Sequence, residues 1–330
     1  MRGDHLNLVI GVVAAVFATF SWSLNFLSPY VTGHYSAYDF IGVRFVFAGA
    51  LGLLFVATHW TQVCRLRVGE MALAFCLGMV GYVGYLACIM GGVIYAGPVI
   101  TPAFLGLVPI LTAVIGNATN KTLPWTKLIA LVALATCGLC LTNLEHFARG
   151  ERSAGTALLI GVCFSLGAVA AWLIFSIFNQ RAFERNPQLP PIAWTGLMMT
   201  GAGVGTLLLI PWGLQWSVFN FPTLGFGWPN AGHLYMWALS LAVVSSFGGA
   251  WAWNIASKRL PMVLTGQLIS VETLFAATFG LLVQQRLPAA SEIVGLLMIL
   301  AGAIVAVRLM FAPSVWKNDG LIPGCSPGVN

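Results

Sequence analysis

Two stretches of the chain, 101–124 (TPAFLGLVPILTAVIGNATNKTLP) and 265–288 (TGQLISVETLFAATFGLLVQQRLP), decide its fold. A shift of 164 positions sets them in register without a gap. Thr101 then meets Thr265, Ala113 meets Ala277 and Gly116 meets Gly280. Leu123-Pro124 falls on Leu287-Pro288, and the register continues through Ile129 with Ile293 and Gly138 with Gly302. Single identities between apolar segments arise by chance. A Leu-Pro turn held in register with flanking glycines is a stronger signal, and it points to an internal duplication.

The rest of the sequence sets the duplicated unit in a membrane. Of 330 residues, 59% are hydrophobic and 7% are charged, with a mean hydropathy of +0.90. Soluble domains carry about 25% charged residues, so lipid must solvate most of the outer surface. The net charge of +6 comes from basic residues spread between apolar segments. No basic patch forms, so no nucleic-acid partner is expected; membrane lipid is the expected surroundings.

Ten apolar segments approach the roughly 20 residues needed to cross the hydrocarbon core. They cover 8–28, 41–58, 71–90, 99–118 and 128–144, then 156–178, 192–214, 234–256, 262–283 and 293–311. Each must satisfy its own backbone hydrogen bonds in lipid, so all ten are expected to be helical. The expected fold is an all-α integral membrane protein of ten transmembrane helices, built as two five-helix repeats. Residues 1–150 form the first and 151–330 the second with a short tail.

Basic residues orient the bundle. With the amino terminus inside, the inner loops receive Arg2, Arg65, Arg67, Lys121, Lys127, Arg181, Arg185, Lys258, Arg259, Arg308 and Lys317. The outer loops receive Arg149, Arg152 and Arg286. This bias places both termini in the cytoplasm of a cell with a bacterial-type inner membrane. It also leaves the N-x-T sequons at Asn117 and Asn120 on the side where glycosylation does not occur. The long uncharged connection with Trp216, Phe219, Phe221, Phe226 and Trp228 falls outside, as an interfacial aromatic belt.

Five helices per half is an odd number, so the second repeat must be inserted upside down. Inverted repeats are the architecture of many secondary transporters, with the substrate site near the midplane between halves and alternating access by rocking. The expected protein is therefore a carrier of a small solute.

The chain resembles the EamA-type drug/metabolite transporter superfamily over nearly its whole length. The resemblance rests on Trp22, on Leu107-Val108-Pro109-Ile110, and on the 271–277 run VETLFAA. Where many members read Glu-Pro, this chain has Glu272-Thr273; Gln285-Arg286-Leu287 stands where many read Gly-Glu-Arg-Leu. Trp172, Trp253-Asn254 and the pair Tyr85 and Tyr95 are most similar to aromatic amino acid exporters of the YddG type. The resemblance implies ten helices, export from the cytoplasm and amino acids as substrates. A drug, organic-cation or sugar-nucleotide exporter of the same superfamily is the alternative.

Seven residues are expected to bind substrate: Trp22, Tyr82, Tyr85, Trp172, Trp253, Asn254 and Glu272. Aromatic walls suit stacking on aromatic side chains and cation–π contact with an ammonium group. Glu272 lies ten residues beyond Met262, about 15 Å along a helix. A carboxylate near the midplane faces a cavity or a partner. It has two readings, a proton- or ammonium-binding group and a hydrogen-bonded packing residue. Protons are thus a candidate co-substrate, beside facilitated diffusion that needs no titratable group. Arg44 has three readings: attraction of an anionic group, pairing with Asp39 or Glu272, or snorkelling to the outer interface. Pro109, read as a mid-helix proline, is expected to break its helix and free a carbonyl. Asn25 and Gln267 are further polar candidates.

The five histidines lie outside or at the ends of the apolar segments, and no H-E-x-x-H, Walker or nucleophile-elbow motif occurs. No catalytic residue, metal or cofactor is expected, and the carrier is read as a monomer. Cys137 and Cys140 form a C-x-x-C inside an apolar segment with no neighbouring cation to activate a thiol. Their structural reading is close helix packing; the competing one is a membrane redox enzyme.

Overall fold

A computed structural model describes residues 2–121, 123–142, 155–285 and 287–311. Arg149, Arg152, Arg286 and Lys317, which enter the charge count above, lie outside the described residues. Among the described residues the chain is helical and has no strand. The principal helices are α1 (Arg2–Ser23), α2 (Ala37–Thr58), α3 (Val68–Gly78), α4 (Tyr85–Leu105), α5 (Leu107–Asn120), α6 (Trp125–Thr142) and α7 (Thr156–Arg185). They continue as α8 (Pro191–Gln215), α9 (Trp228–Leu241), α10 (Ala250–Arg259), α11 (Met262–Leu268), α12 (Val271–Gln284) and α13 (Ala290–Phe311).

Eight helical stretches among the described residues are long and apolar enough to cross a bilayer. Two more, Leu107–Thr119 and Trp125–Leu141, are apolar but shorter. For Leu107–Thr119 the late start has a local cause. The segment read as 99–118 is not one helix: α4 runs through 97–105, the chain turns at Gly106, and α5 begins at Leu107. A proline ring clashes with the carbonyl four residues before it and cannot donate to it. For Pro109 that carbonyl belongs to Leu105, the last residue of α4. Pro109 therefore stands in the first turn of α5, not in mid-helix, where its missing N–H is one the helix leaves unpaired anyway.

The second half breaks at the same register without a proline. Between α11 and α12 the Glu272 N–H bonds Ile269 O at 3.0 Å and the Thr273 N–H bonds Ser270 O at 3.1 Å. The Ser270 hydroxyl donates to Gln267 O at 2.6 Å, occupying a carbonyl that the break releases. α5 and α12 both end on a left-handed residue, Lys121 and Gln285, each at φ 49°. The shift of 164 carries one pair onto the other. It also carries the π-helical turn Met79–Gly84, between α3 and α4, into the π-helical turn Ala242–Gly249, between α9 and α10.

The packing follows a paired plan. α2 crosses α8, α6 packs on α13 and α5 on α11, while α4 lies against α7 and α1 against α10. Start signals are polar where the helices leave lipid. Ser36 and Asp39 form a capping box at α2, and Glu292 accepts the Ala289 N–H at 2.8 Å before α13. Asp39 also accepts the Asn220 N–H at 2.9 Å, docking the connection between α8 and α9. That connection is only partly a surface belt. Phe221 turns inward between Tyr35 and Phe226, with ring centroids 4.9 and 4.8 Å away, while Trp216 and Trp228 stay exposed. Asn117, one of the sequon asparagines, is buried and clamps both backbone groups of Leu123.

Candidate functional site

The tryptophans contributed by the two halves meet. The Trp22 ring, at the end of α1, stands edge-on to Trp172 of α7 with centroids 5.3 Å apart. Trp253 of α10 closes the triangle, 5.2 Å from Trp22 and 5.9 Å from Trp172. Tyr85, at the start of α4, lies 5.2 Å from Trp172. Phe175, one turn beyond Trp172 on α7, touches Trp172 at 5.3 Å and Tyr82 at 5.4 Å. Tyr82 and Tyr85 thus face Trp172 and Phe175 as two rungs of one ladder. Trp22, Trp172 and Trp253 are buried, whereas Tyr85 is half-buried.

Close backbones allow this convergence. The Trp22 indole edge rests on Gly249, where an added Cβ would lie 2.8 Å from Nε1, and the Phe175 ring rests on Gly81. Both glycines belong to the π-helical turns. Such turns re-aim the following side chains and occur often at functional sites.

Several polar atoms in these helices are buried with no hydrogen-bond partner among the described residues: the Trp172 indole N–H, the Tyr82 and Ser176 hydroxyls, and both amide atoms of Gln267. Buried polar groups left unpaired are uncommon and call for an explanation. Indole and phenol donors beside ring faces are the groups a polar aromatic solute would take up.

Glu272 stands in the first turn of α12, immediately after the break, and is half-buried. The positive end of the α12 dipole stabilises a carboxylate there. Tyr85 lies within electrostatic range of it. Phe275, on the same face of α12, meets Phe20 of α1 at 5.3 Å. Asn254, although adjacent to Trp253, turns to another neighbour. Its amide donates to Thr195 Oγ1 of α8 at 2.8 Å, and its Oδ1 has no partner among the described residues.

Arg44 does not snorkel, and among the described residues it meets no acid. It is 3% exposed. Its Nε donates to Ser246 Oγ at 2.7 Å and its Nη2 to Ser245 Oγ at 3.0 Å, both in the second π-helical turn, and its Nη1 donates to Asn25 Oδ1. The sequence reading missed Phe175 and the two serines. Only the spacing of three from Trp172 pointed to Phe175, and nothing in the sequence marked the serines. Cys137 and Cys140 are free thiols exposed on α6.

Residues 159–308 match the EamA-like transporter family. Inner membrane protein YtfF of Escherichia coli (strain K12) is similar at 27% identity over 314 residues, 91% of this chain and 96% of that protein. The uncharacterized transporter YyaM of Bacillus subtilis (strain 168) is 23% identical over 250 residues, 69% and 78% of the two chains. A crystal structure of a protein with 18% identity superposes with a TM-score of 0.70 over 91% of this chain and 98% of that one, which shows a shared fold. The matches point to a general role as a membrane transporter.

Proposed function

Taking an EamA-like transporter domain in a membrane bundle as the premise, we propose that this chain exports amino acids from the cytoplasm, aromatic and other hydrophobic ones foremost. The observation that carries the reading is the joined ring cluster of Trp22, Trp172, Trp253 and Tyr85, drawn from helices of both halves. A planar apolar side chain gains most from such walls, and its ammonium group matches ring faces and the Glu272 carboxylate.

Transport is by alternating access between two inverted five-helix repeats, residues 1–150 and 151–330, ten crossings in all with both termini cytoplasmic. Support comes from the coincidences at a shift of 164: helix breaks, left-handed ends and π-helical turns recur together. The fourth crossing is then interrupted at Gly106, before α5, and the ninth at Ser270, between α11 and α12, as substrate-lining helices of inverted-repeat carriers are.

Uptake of labelled phenylalanine into proteoliposomes holding the purified chain tests this. Uptake above empty vesicles, competed by tryptophan and leucine and poorly by sugar nucleotides, is expected. Uptake equal to that of empty vesicles overturns the amino-acid reading. Replacement of Cys137 and Cys140 by serine should leave transport unchanged, which separates a carrier from a dithiol enzyme.

A further inference from the structure

We propose that Arg44 is the carboxylate-recognition group of this carrier, an inference that rests on the amino-acid reading above. A guanidinium carries five N–H donors. Three donate to Ser246, Ser245 and Asn25, which leaves one on each terminal nitrogen. All three acceptors are neutral. Among the described residues no carboxylate lies within ion-pair distance. Asp39, the nearest acid along α2, is occupied by the N–H groups of Ser36 and Asn220. Buried charges are normally paired, and intramembrane charges mark solute or ion pathways. One N–H on each terminal nitrogen is what a carboxylate takes up in two parallel bonds.

Position favours the same ligand. Asn25 stands three residues beyond Trp22, and Ser246 three before Gly249, on which Trp22 rests. On both flanking elements three residues, about one turn, therefore separate the groups that hold the guanidinium from those that carry the ring cluster. A ligand with a ring and a carboxylate a few bonds apart suits such neighbouring subsites.

The repeat shows that packing does not require the charge. The shift of 164 carries Ser245 and Ser246 to Gly81 and Tyr82. Phe175 stands three beyond Trp172 as Asn25 stands three beyond Trp22. Met198 stands five before Gly203 as Arg44 stands five before Gly49. On that side an apolar group fills the place, with the Phe175 ring on Gly81 and Tyr82 and with Met198 buried. The fold thus accommodates hydrocarbon at this location, and the cation on one side only serves a ligand.

The test compares phenylalanine with phenethylamine, which keeps ring and ammonium and lacks the carboxylate. Both are used as labelled solutes in proteoliposomes of the full chain. Wild type should prefer phenylalanine by about 10-fold or more, the range of a charged hydrogen bond. Arg44→Gln should lose that preference by slowing phenylalanine alone, and Arg44→Lys should fall between. Should Arg44→Gln fail to fold, Asn25→Ala decides. It keeps the guanidinium and removes a competing acceptor, so the preference should persist or grow. A preference unchanged in Arg44→Gln, an equal loss for both solutes in a variant that melts as wild type does, or a lost preference in Asn25→Ala overturns the proposal. If wild type moves neither solute, the amino-acid reading has failed, and melting with benzoate against benzamide judges the anion site. Stabilisation by benzoate in wild type but not in Arg44→Gln supports the site, and no difference overturns it.

Discussion

Gly49 and Gly203 meet where α2 crosses α8, so closely that a Cβ on either would lie 2.7 Å from the other's Cα. Backbone contact of this kind holds helices together in lipid, where no hydrophobic effect drives them and close packing supplies the attraction. Valine at either position should force the helices apart at a cost of about 1–3 kcal/mol. The melting temperature in detergent should fall for Gly49→Val and Gly203→Val. Gly42→Ala, whose nearest neighbour would be Phe219 at 4.0 Å, should melt as wild type does.

Trp172 is the ring that touches Trp22, Trp253, Tyr85 and Phe175 together. Aromatic contacts contribute about 0.5–1.5 kcal/mol beyond area burial. Trp172→Ala should therefore raise the apparent KM for phenylalanine by up to about tenfold, and Trp172→Phe should retain most of the affinity. An unchanged KM in the alanine variant would remove the cluster from the substrate path.

Pro109 denies the Leu105 carbonyl its donor. The matching break in the second half forms with Thr273 in that place, so Pro109→Ala should leave the break standing and change stability by about 1 kcal/mol or less. Thr273 occupies the matching place in α12, so Thr273→Pro should cost about 1 kcal/mol or less, the worth of its bond to Ser270. Thermal melts of the two variants check both statements.

Glu272→Gln keeps the shape of the side chain and removes its charge. In a proton-coupled carrier, an imposed pH gradient should change the wild-type uptake rate and leave that of the glutamine variant unaltered. A wild-type rate indifferent to the gradient would instead identify facilitated diffusion and confine Glu272 to solute binding.

Much of the candidate site was legible in the sequence. Trp22 and Trp172 each lie on the first helix of a half, and the expected pairwise repeat would bring such positions together at the interface. Asn254 was less legible. It follows Trp253, yet one helical step of about 100° turns it toward Thr195. The break at Gly106 was visible as Pro109 but displaced by three residues, because a proline acts on the carbonyl four places earlier. Its partner break at Ser270 carried no proline and so gave no sign.

By itself the sequence determined that this chain is helical and apolar, and its register at a shift of 164 raised the expectation of an internal duplication. Lipid leaves the backbone no partner but itself, and composition records the solvent. The tertiary structure alone decided which way each helix turns its side chains. Helices apolar on every side carry no stripe from which their rotation can be read. Arg44 shows the difference: the residues that receive its charge lie in a π-helical turn about 200 positions away, and only packing brings them together.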